Sequence, residues 1–144
     1  MGWVDDTFRE RIASETEVPK LWDSLRDSIG LAVEEFNRRT AASLDTLERN
    51  NCMAMGRHCL RVRRTLGGSA IEVFLDEQNQ SLTVARNGLN KLVCGYRLSK
   101  DLSQAEFFIQ KEGDTPERML PVEEACRRAL KELLFSPFPT AFSR

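Results

Sequence analysis

The side chains of this chain that could carry nucleophilic or metal chemistry are a single histidine, His58, and four cysteines. A histidine-based triad or dyad would have to be built around His58 alone, and no GxSxG, P-loop, GxGxxG or HExxH motif is present. The carboxylates of Asp76 and Glu77 point to opposite faces, because the two residues are neighbours on a predicted strand. The sequence therefore predicts that the protein is not an enzyme and has no catalytic residue.

The four cysteines, Cys52, Cys59, Cys94 and Cys126, follow no recognisable spacing, and the chain carries no export signal. These features favour reduced thiols that behave as small hydrophobic side chains, and Cys94 and Cys126 fall on predicted core faces. A metal site built from Cys52, His58 and Cys59 is the alternative, but no CxxC or HxxxH pair supports it. We therefore expect neither a metal nor a cofactor.

Arginine and aromatic residues recur on the outer face of a predicted sheet, the face turned away from the helices. A partly apolar surface with arginine at its rim has the composition that protein interfaces favour. One alternative is a solvated face with ordinary cross-strand pairs, and another is binding of single-stranded RNA, although the chain lacks the strand order and aromatic motif of an RRM. The candidate binding residues are Arg61, Arg63, Phe74, Val93, Arg97 and Phe108.

Two further arginines, Arg64 and Arg86, are predicted to flank Ile71 on the helix-packed face of the same sheet. With Asn90 beside them, their guanidinium groups could hold a carboxylate or phosphate as an anion site. The alternative is structural: the long side chains reach water past the end of the sheet, or a helix carboxylate meets them.

Length and composition indicate one globular α+β domain that spans residues 1–144. Of these 144 residues 41% are hydrophobic and 30% are charged, and 21 basic residues nearly balance 22 acidic ones, so bulk charge favours neither nucleic acid nor lipid. The sequence contains neither an apolar run of membrane-spanning length nor a signal peptide. We expect a cytoplasmic protein without membrane contact.

The elements that must position these residues include a five-stranded antiparallel meander, of strand order 1-2-3-4-5, within His58–Ile109. Apolar and polar residues alternate through it, as they do on strands with one buried face. Two-residue turns are predicted at residues 67–68 and 78–79. The pairs that these turns predict are Val62 with Val73 and Leu75 with Leu82.

The third and fourth connections are predicted to keep the same face apolar. A three-residue loop with Gly88 in a bulge places Leu82 opposite Leu92, whereas a two-residue turn would bring a lysine onto the apolar face. The bulged loop is therefore preferred. The last connection places Tyr96 opposite Phe107, and Arg97 opposite Glu106 on the outer face.

Two helices are predicted before the sheet. Apolar residues at Val4, Phe8 and Ile12 indicate a short helix or arm within residues 1–18, and Pro19 fits the first turn of a second, long helix.

The long helix carries one apolar stripe, and it would measure about 45 Å at 1.5 Å per residue, whereas the strands span only about 20 to 27 Å. The helix is predicted to end at Asn50-Asn51. Its excess length predicts either a break near residues 40–43 or an overhang at Thr40, Leu44 and Leu47 that a second copy would cover, and the overhang is preferred. The stripe that faces the sheet begins with Leu21, Leu25, Ile29, Val33 and Phe36.

A last helix is predicted to begin at Thr115-Pro116, with Thr115 as its cap, and to bury a face that includes Met119 and Cys126. Residues 136–144 form a tail with two prolines and two phenylalanines, which either packs in a groove of the same domain or is offered to a partner. The long helix and the C-terminal helix are expected to pack on one face of the sheet, in a two-layer α+β fold.

The size, acidity and order of helices and sheet resemble those of small type III secretion chaperones, which dimerise and hold an extended partner. An uninterrupted meander departs from their pattern, in which a helix divides the strands, and no shared motif assigns the chain to that family. The sequence predicts a non-enzymatic protein-interaction module, chaperone-like or adaptor-like, that self-associates or binds a protein partner through the outer sheet face or the helix overhang. Binding of single-stranded RNA or another anionic ligand is the alternative function.

Overall fold

The computed structural model describes residues 2–44, 50–64, 69–111 and 113–134, and its architecture is α+β. An N-terminal and a C-terminal helix pack against an antiparallel sheet of seven strands, in which each strand pairs with the next along the chain. The helices are α1, Trp3–Leu44, and α2, Val122–Leu134. The strands are β1, Asn50–Ala54; β2, Cys59–Arg64; β3, Ala70–Asp76; β4, Ser81–Arg86; β5, Leu89–Leu98; β6, Ala105–Ile109; and β7, Arg118–Leu120.

The sheet has seven strands rather than the five that the sequence predicts, because a short strand lies at each edge. β1 begins at Asn50, where the sequence predicts the end of a helix, and β7 occupies three residues of a segment predicted to be helical. The sequence of β1, Asn-Asn-Cys-Met-Ala, does not alternate apolar with polar residues, and the three residues of β7 are too few for a pattern of period two.

The predicted pairing is confirmed for two hairpins. Leu75 lies opposite Leu82 between β3 and β4, and Tyr96 lies opposite Phe107 between β5 and β6. The predicted β2–β3 pairing is wrong by two residues, because Val62 lies opposite Ile71 and not opposite Val73. A shift of two residues leaves every side chain on the same face, so the alternation of apolar residues cannot distinguish the two registers.

The predicted three-residue loop between β4 and β5 is also wrong. Asn87-Gly88 forms a two-residue turn, with φ values of 52° and 79°, as type I′ turns require. A register shift does occur, but it lies inside the strand pair, between Leu82 and Thr83. As a result Leu92 lies opposite Thr83 and is 62% exposed, and Cys94 takes the place opposite Leu82.

α1 is one continuous helix of 42 residues, so the predicted helix boundary at Pro19 is wrong. Proline inside a helix removes one main-chain hydrogen bond. Val18 and Leu21, on either side of Pro19, are buried in the core, and this packing outweighs the local preference of proline. At 1.5 Å per residue the helix is about 63 Å long, so the sheet can cover only part of it.

α2 begins at Val122 and not at the predicted Thr115-Pro116. The carbonyl of Pro121 accepts a hydrogen bond at 3.0 Å from the backbone N–H of Ala125, which marks the first turn. Met119 lies on β7 and is 54% exposed, against its predicted place on a buried helix face.

A hydrophobic core joins both helices to the inner face of the sheet. The predicted stripe of α1 from Leu21 to Val33 is buried, and Phe36 packs against it. The side chains of Thr40, Leu44 and Leu47, the turn at residues 67–68 and the tail at 136–144 lie outside the described residues. The other buried hydrophobic residues include Leu60, Val62, Ile71, Val73, Leu75, Leu82, Val84, Phe107, Leu120 and Leu130.

Candidate interaction surfaces

The first part of α1 extends beyond the core and carries large apolar side chains into solvent. We call Trp3–Glu17 the arm, because the core contacts of α1 begin at Val18. The apolar residues of the arm are not buried. The four most exposed, with exposed fractions between 49% and 77%, are Trp3, Val4, Phe8 and Ile12.

The arm does not pack on the core, because the residues of the arm that continue the buried stripe of α1 are polar. Counting back from Val18 by helical intervals of four, three and four residues reaches Ser14, Arg11 and Thr7 on the face that continues the stripe. These residues line an open cleft of about 550 Å³ against the end of β5 and the β5–β6 connection, not a packed interface. This polar continuation is the signal in the sequence that distinguishes an exposed arm from a buried helix.

Charged side chains stabilise the arm as an exposed helix. Arg9 lies 3.4 Å from the carboxylate of Asp6, and Arg11 lies 3.3 Å from that of Glu15. Pairs at three- and four-residue intervals lie on the same side of a helix and support it modestly. The apolar side chains are thus presented on a regular helix.

On the outer face of the sheet, a cluster forms around Arg97 of β5. Its guanidinium lies 4.3 Å from the ring centroid of Phe108, 3.4 Å from the carboxylate of Glu106, and hydrogen-bonds to Glu117. The ring of Phe108 covers Gly95, where a Cβ atom would stand 2.6 Å from the ring. The predicted pairing of Arg97 with Glu106 is confirmed, and two carboxylates neutralise this arginine.

The other predicted contact residues do not join this cluster. Arg61 and Arg63 are exposed on β2, and Arg61 lies opposite Glu72. Phe74 is half-buried on β3. Val93 lies next to the register shift of β5 and packs against the hydrophobic core, so it does not contribute to the outer face in the way the sequence predicts.

Asn90 is not brought to the predicted anion site. Arg64 is 8% exposed on β2, and Arg86 is half-buried at the end of β4. Asn90 lies opposite Ala85 because the turn has two residues, and Ala85 lies opposite the outer-face residue Glu72. Asn90 is therefore on the other side of the sheet from Arg64.

His58 occupies a tight turn between β1 and β2, with a φ of 56°, and is 7% exposed. Its ring lies 5.9 Å from that of Trp22 on α1, and its Nδ1 lies 3.6 Å from a carboxylate oxygen of Glu77, beyond hydrogen-bonding distance. Among the described residues this nitrogen has no hydrogen-bond partner. Burial lowers the pKa of His58, the Arg57 guanidinium lowers it further, and the carboxylates of Glu77 and Asp23 oppose the shift.

Acidification is expected to destabilise the fold through His58. The pKa of His58 in the folded state lies below its ordinary value of about 6.5, so the unfolded chain binds the proton more readily. Stability is therefore lost as the pH falls through about 6.5. The melting temperature should fall between about pH 7.5 and pH 5.5. His58 is the only histidine, so in His58→Asn, which tolerates a positive φ, the fall should be smaller. Equal pH profiles for the two proteins would contradict this role.

Two cysteines are buried on the core faces where the sequence predicts them. Burial raises the pKa of Cys94 to about 12 and that of Cys126 to about 11, so both thiols are protonated and unreactive at neutral pH. In the part of the chain that the structure describes, no three histidine, cysteine or acidic side chains come together as a potential metal site. No described helix combines the length and the apolar character needed to cross a membrane.

No protein-family model, curated protein or solved structure matches this chain.

Proposed function

We propose that the protein is a non-enzymatic interaction module that self-associates through the arm, Trp3–Glu17. One observation supports this proposal above all: four large apolar side chains, Trp3, Val4, Phe8 and Ile12, are exposed on a helix that continues far past the core. Contiguous apolar surface of this kind marks interaction sites in soluble proteins, and tryptophan and phenylalanine are typical anchors of interfaces.

A second copy of the chain is the partner that the arm fits best. An antiparallel pair of arms centred on Phe8 would bring Asp5 of each arm level with Arg11 of the other. The same arrangement opposes the two helix dipoles favourably. It buries Phe8 against its own copy, as a twofold interface requires.

Such a dimer would leave the sheet available for a protein partner, in an adaptor-like or chaperone-like role. The arm would then serve self-association, and the sheet would serve the partner. Binding of an anion or of single-stranded RNA by the outer face has weaker support, because Glu106 and Glu117 already engage Arg97.

The proposal predicts a dimer that a charge in the arm disrupts. Light scattering of the parent protein should give twice the chain mass of 16.4 kDa, and Phe8→Glu with Ile12→Glu should give a single chain. The matched control is Leu31→Glu, because Leu31 is 68% exposed on the same helix but outside the arm, and this variant should remain a dimer. A parent protein that stays at 16.4 kDa at all concentrations would overturn self-association.

A further inference from the structure

The sheet divides into two diverging hairpins at the middle of β5. β6 pairs only with Gly95–Leu98 of β5 and then forms its own hairpin with β7. The earlier part of β5, Leu89–Cys94, lies along β4 on one side, and no strand in the described part of the chain pairs with its other side. We call the opening between the β4–β5 hairpin and the β6–β7 hairpin the fork.

The fork is an open cleft of about 760 Å³. Asn90 and Leu92 of β5 lie on one side of it, and Gln110 and Arg118 lie on the opposite side. Residues of the β3–β4 hairpin, among them Asp76 and Thr83, and Arg128 of α2 also line it. The cleft therefore lies next to the unpaired part of β5.

The backbone of β5 offers hydrogen-bonding groups to the fork. The residues that flank a two-residue turn, here Arg86 and Leu89, exchange hydrogen bonds across the hairpin, so the backbone groups of Leu89 and Lys91 face β4. By alternation, those of Asn90 and Leu92 face the fork. Leu89 and Leu92 are 76% and 62% exposed, so this edge also presents apolar side chains. An edge of this kind can accept a further strand from another chain.

The surroundings of the fork are mainly basic. Four cationic side chains line the fork or the recess between β5 and α2 beside it: Lys91, Arg118, Arg128 and Lys131. Two carboxylates lie among them: Asp76, which also lines the fork and keeps its charge, and Glu124, which lies 3.4 Å from Arg128. Four cations thus face two carboxylates. The charge balance therefore favours a segment that carries carboxylates.

We propose that the fork binds an extended, acidic segment of a partner protein, which adds to β5 as a further strand along Leu89–Cys94. At about 3.3 Å per residue this edge spans about 20 Å, enough for a segment of about six residues. The backbone edge supplies affinity, and the surrounding arginine and lysine side chains select acidic sequences. The fork is separate from the arm, so either proposal can fail without the other.

The test uses three dye-labelled, N-acetylated six-residue peptides and the full-length protein. One peptide alternates glutamate with valine, the second alternates lysine with valine, and the third is the glutamate peptide with alternate backbone amides methylated. The glutamate peptide should bind in anisotropy measurements and should protect the amides of Asn90 and Leu92 from hydrogen exchange. The lysine and methylated peptides should bind at least about tenfold more weakly, a difference of about 1.4 kcal/mol.

Two single variants locate the contact. Arg118→Glu should weaken binding of the glutamate peptide about tenfold or more, whereas Lys100→Glu, the same charge change in the β5–β6 connection, should leave it within about twofold. Absence of binding at about 1 mM glutamate peptide would overturn the proposal. So would equal binding of the methylated peptide, because strand addition needs those amides. Concentration-dependent protection of Asn90 and Leu92 without any peptide would overturn it in favour of edge pairing between two copies.

Discussion

Replacing Val73 with aspartate is expected to unfold the protein. Val73 is fully buried in the middle of β3, between Leu60 on β2 and Val84 on β4, which are both buried. A carboxylate at this point would be an unpaired charge in an apolar layer, at a cost of at least several kcal/mol. Since a domain of this size is stabilised by only about 5–15 kcal/mol, circular dichroism of Val73→Asp should show no cooperative thermal transition.

The matched control is Val4→Asp, the same exchange at a position in the arm that is 54% exposed. Here the new carboxylate remains in water and lies in the first turn of α1, where negative charge is favourable. The variant should unfold cooperatively, within about 0.5 kcal/mol of the parent protein at a dilution that keeps both monomeric. If Val73→Asp kept the melting temperature of the parent, the inner face of the sheet would be assigned wrongly.

The sequence is sufficient to predict which face of the central strands is buried. Alternation of apolar residues identifies Leu60, Val62, Ile71 and Val73 as one layer, and all four are buried. It does not identify their partners across the hairpin. A register shift of two residues preserves the layer, so the pairing of Val62 with Ile71 becomes known only from the structure.

The solvent exposure of the apolar arm residues also could not be predicted from their spacing alone. Val4, Phe8 and Ile12 have the four-residue spacing of a buried helix face, yet what decides their exposure is whether the sheet extends beneath them. A helix of about 63 Å outruns strands of five to ten residues. The continuous passage through Pro19 makes the difference, because two separate helices could have folded back on the core.

The candidate sites differ in the same way: contacts set by local strand pairing could be predicted, and contacts set by tertiary structure could not. Arg97 meets Glu106 as the sequence predicts, since the two residues lie opposite each other on strands whose pairing is correctly predicted. Asn90 does not join Arg64 and Arg86, because the register shift lies at Leu82 and not in the turn. The fork depends on where β6 stops pairing with β5, a tertiary feature that no local pattern encodes.

Truncation of Leu82 to alanine is expected to cost about 2–5 kcal/mol, whereas the same truncation of Leu92 should cost within about 0.5 kcal/mol. The three-residue loop predicted from the sequence would make these two leucines neighbours in the core. Comparing the two truncations therefore tests that loop against the two-residue turn. In the structure Leu82 is fully buried between Leu75 and Cys94, and Leu92 lies opposite Thr83 with 62% of its surface exposed. A cavity would remain at the first position and none at the second. Urea unfolding of both variants measures the two free energies, and similar losses would place Leu92 in the core and remove the exposed edge on which the fork depends.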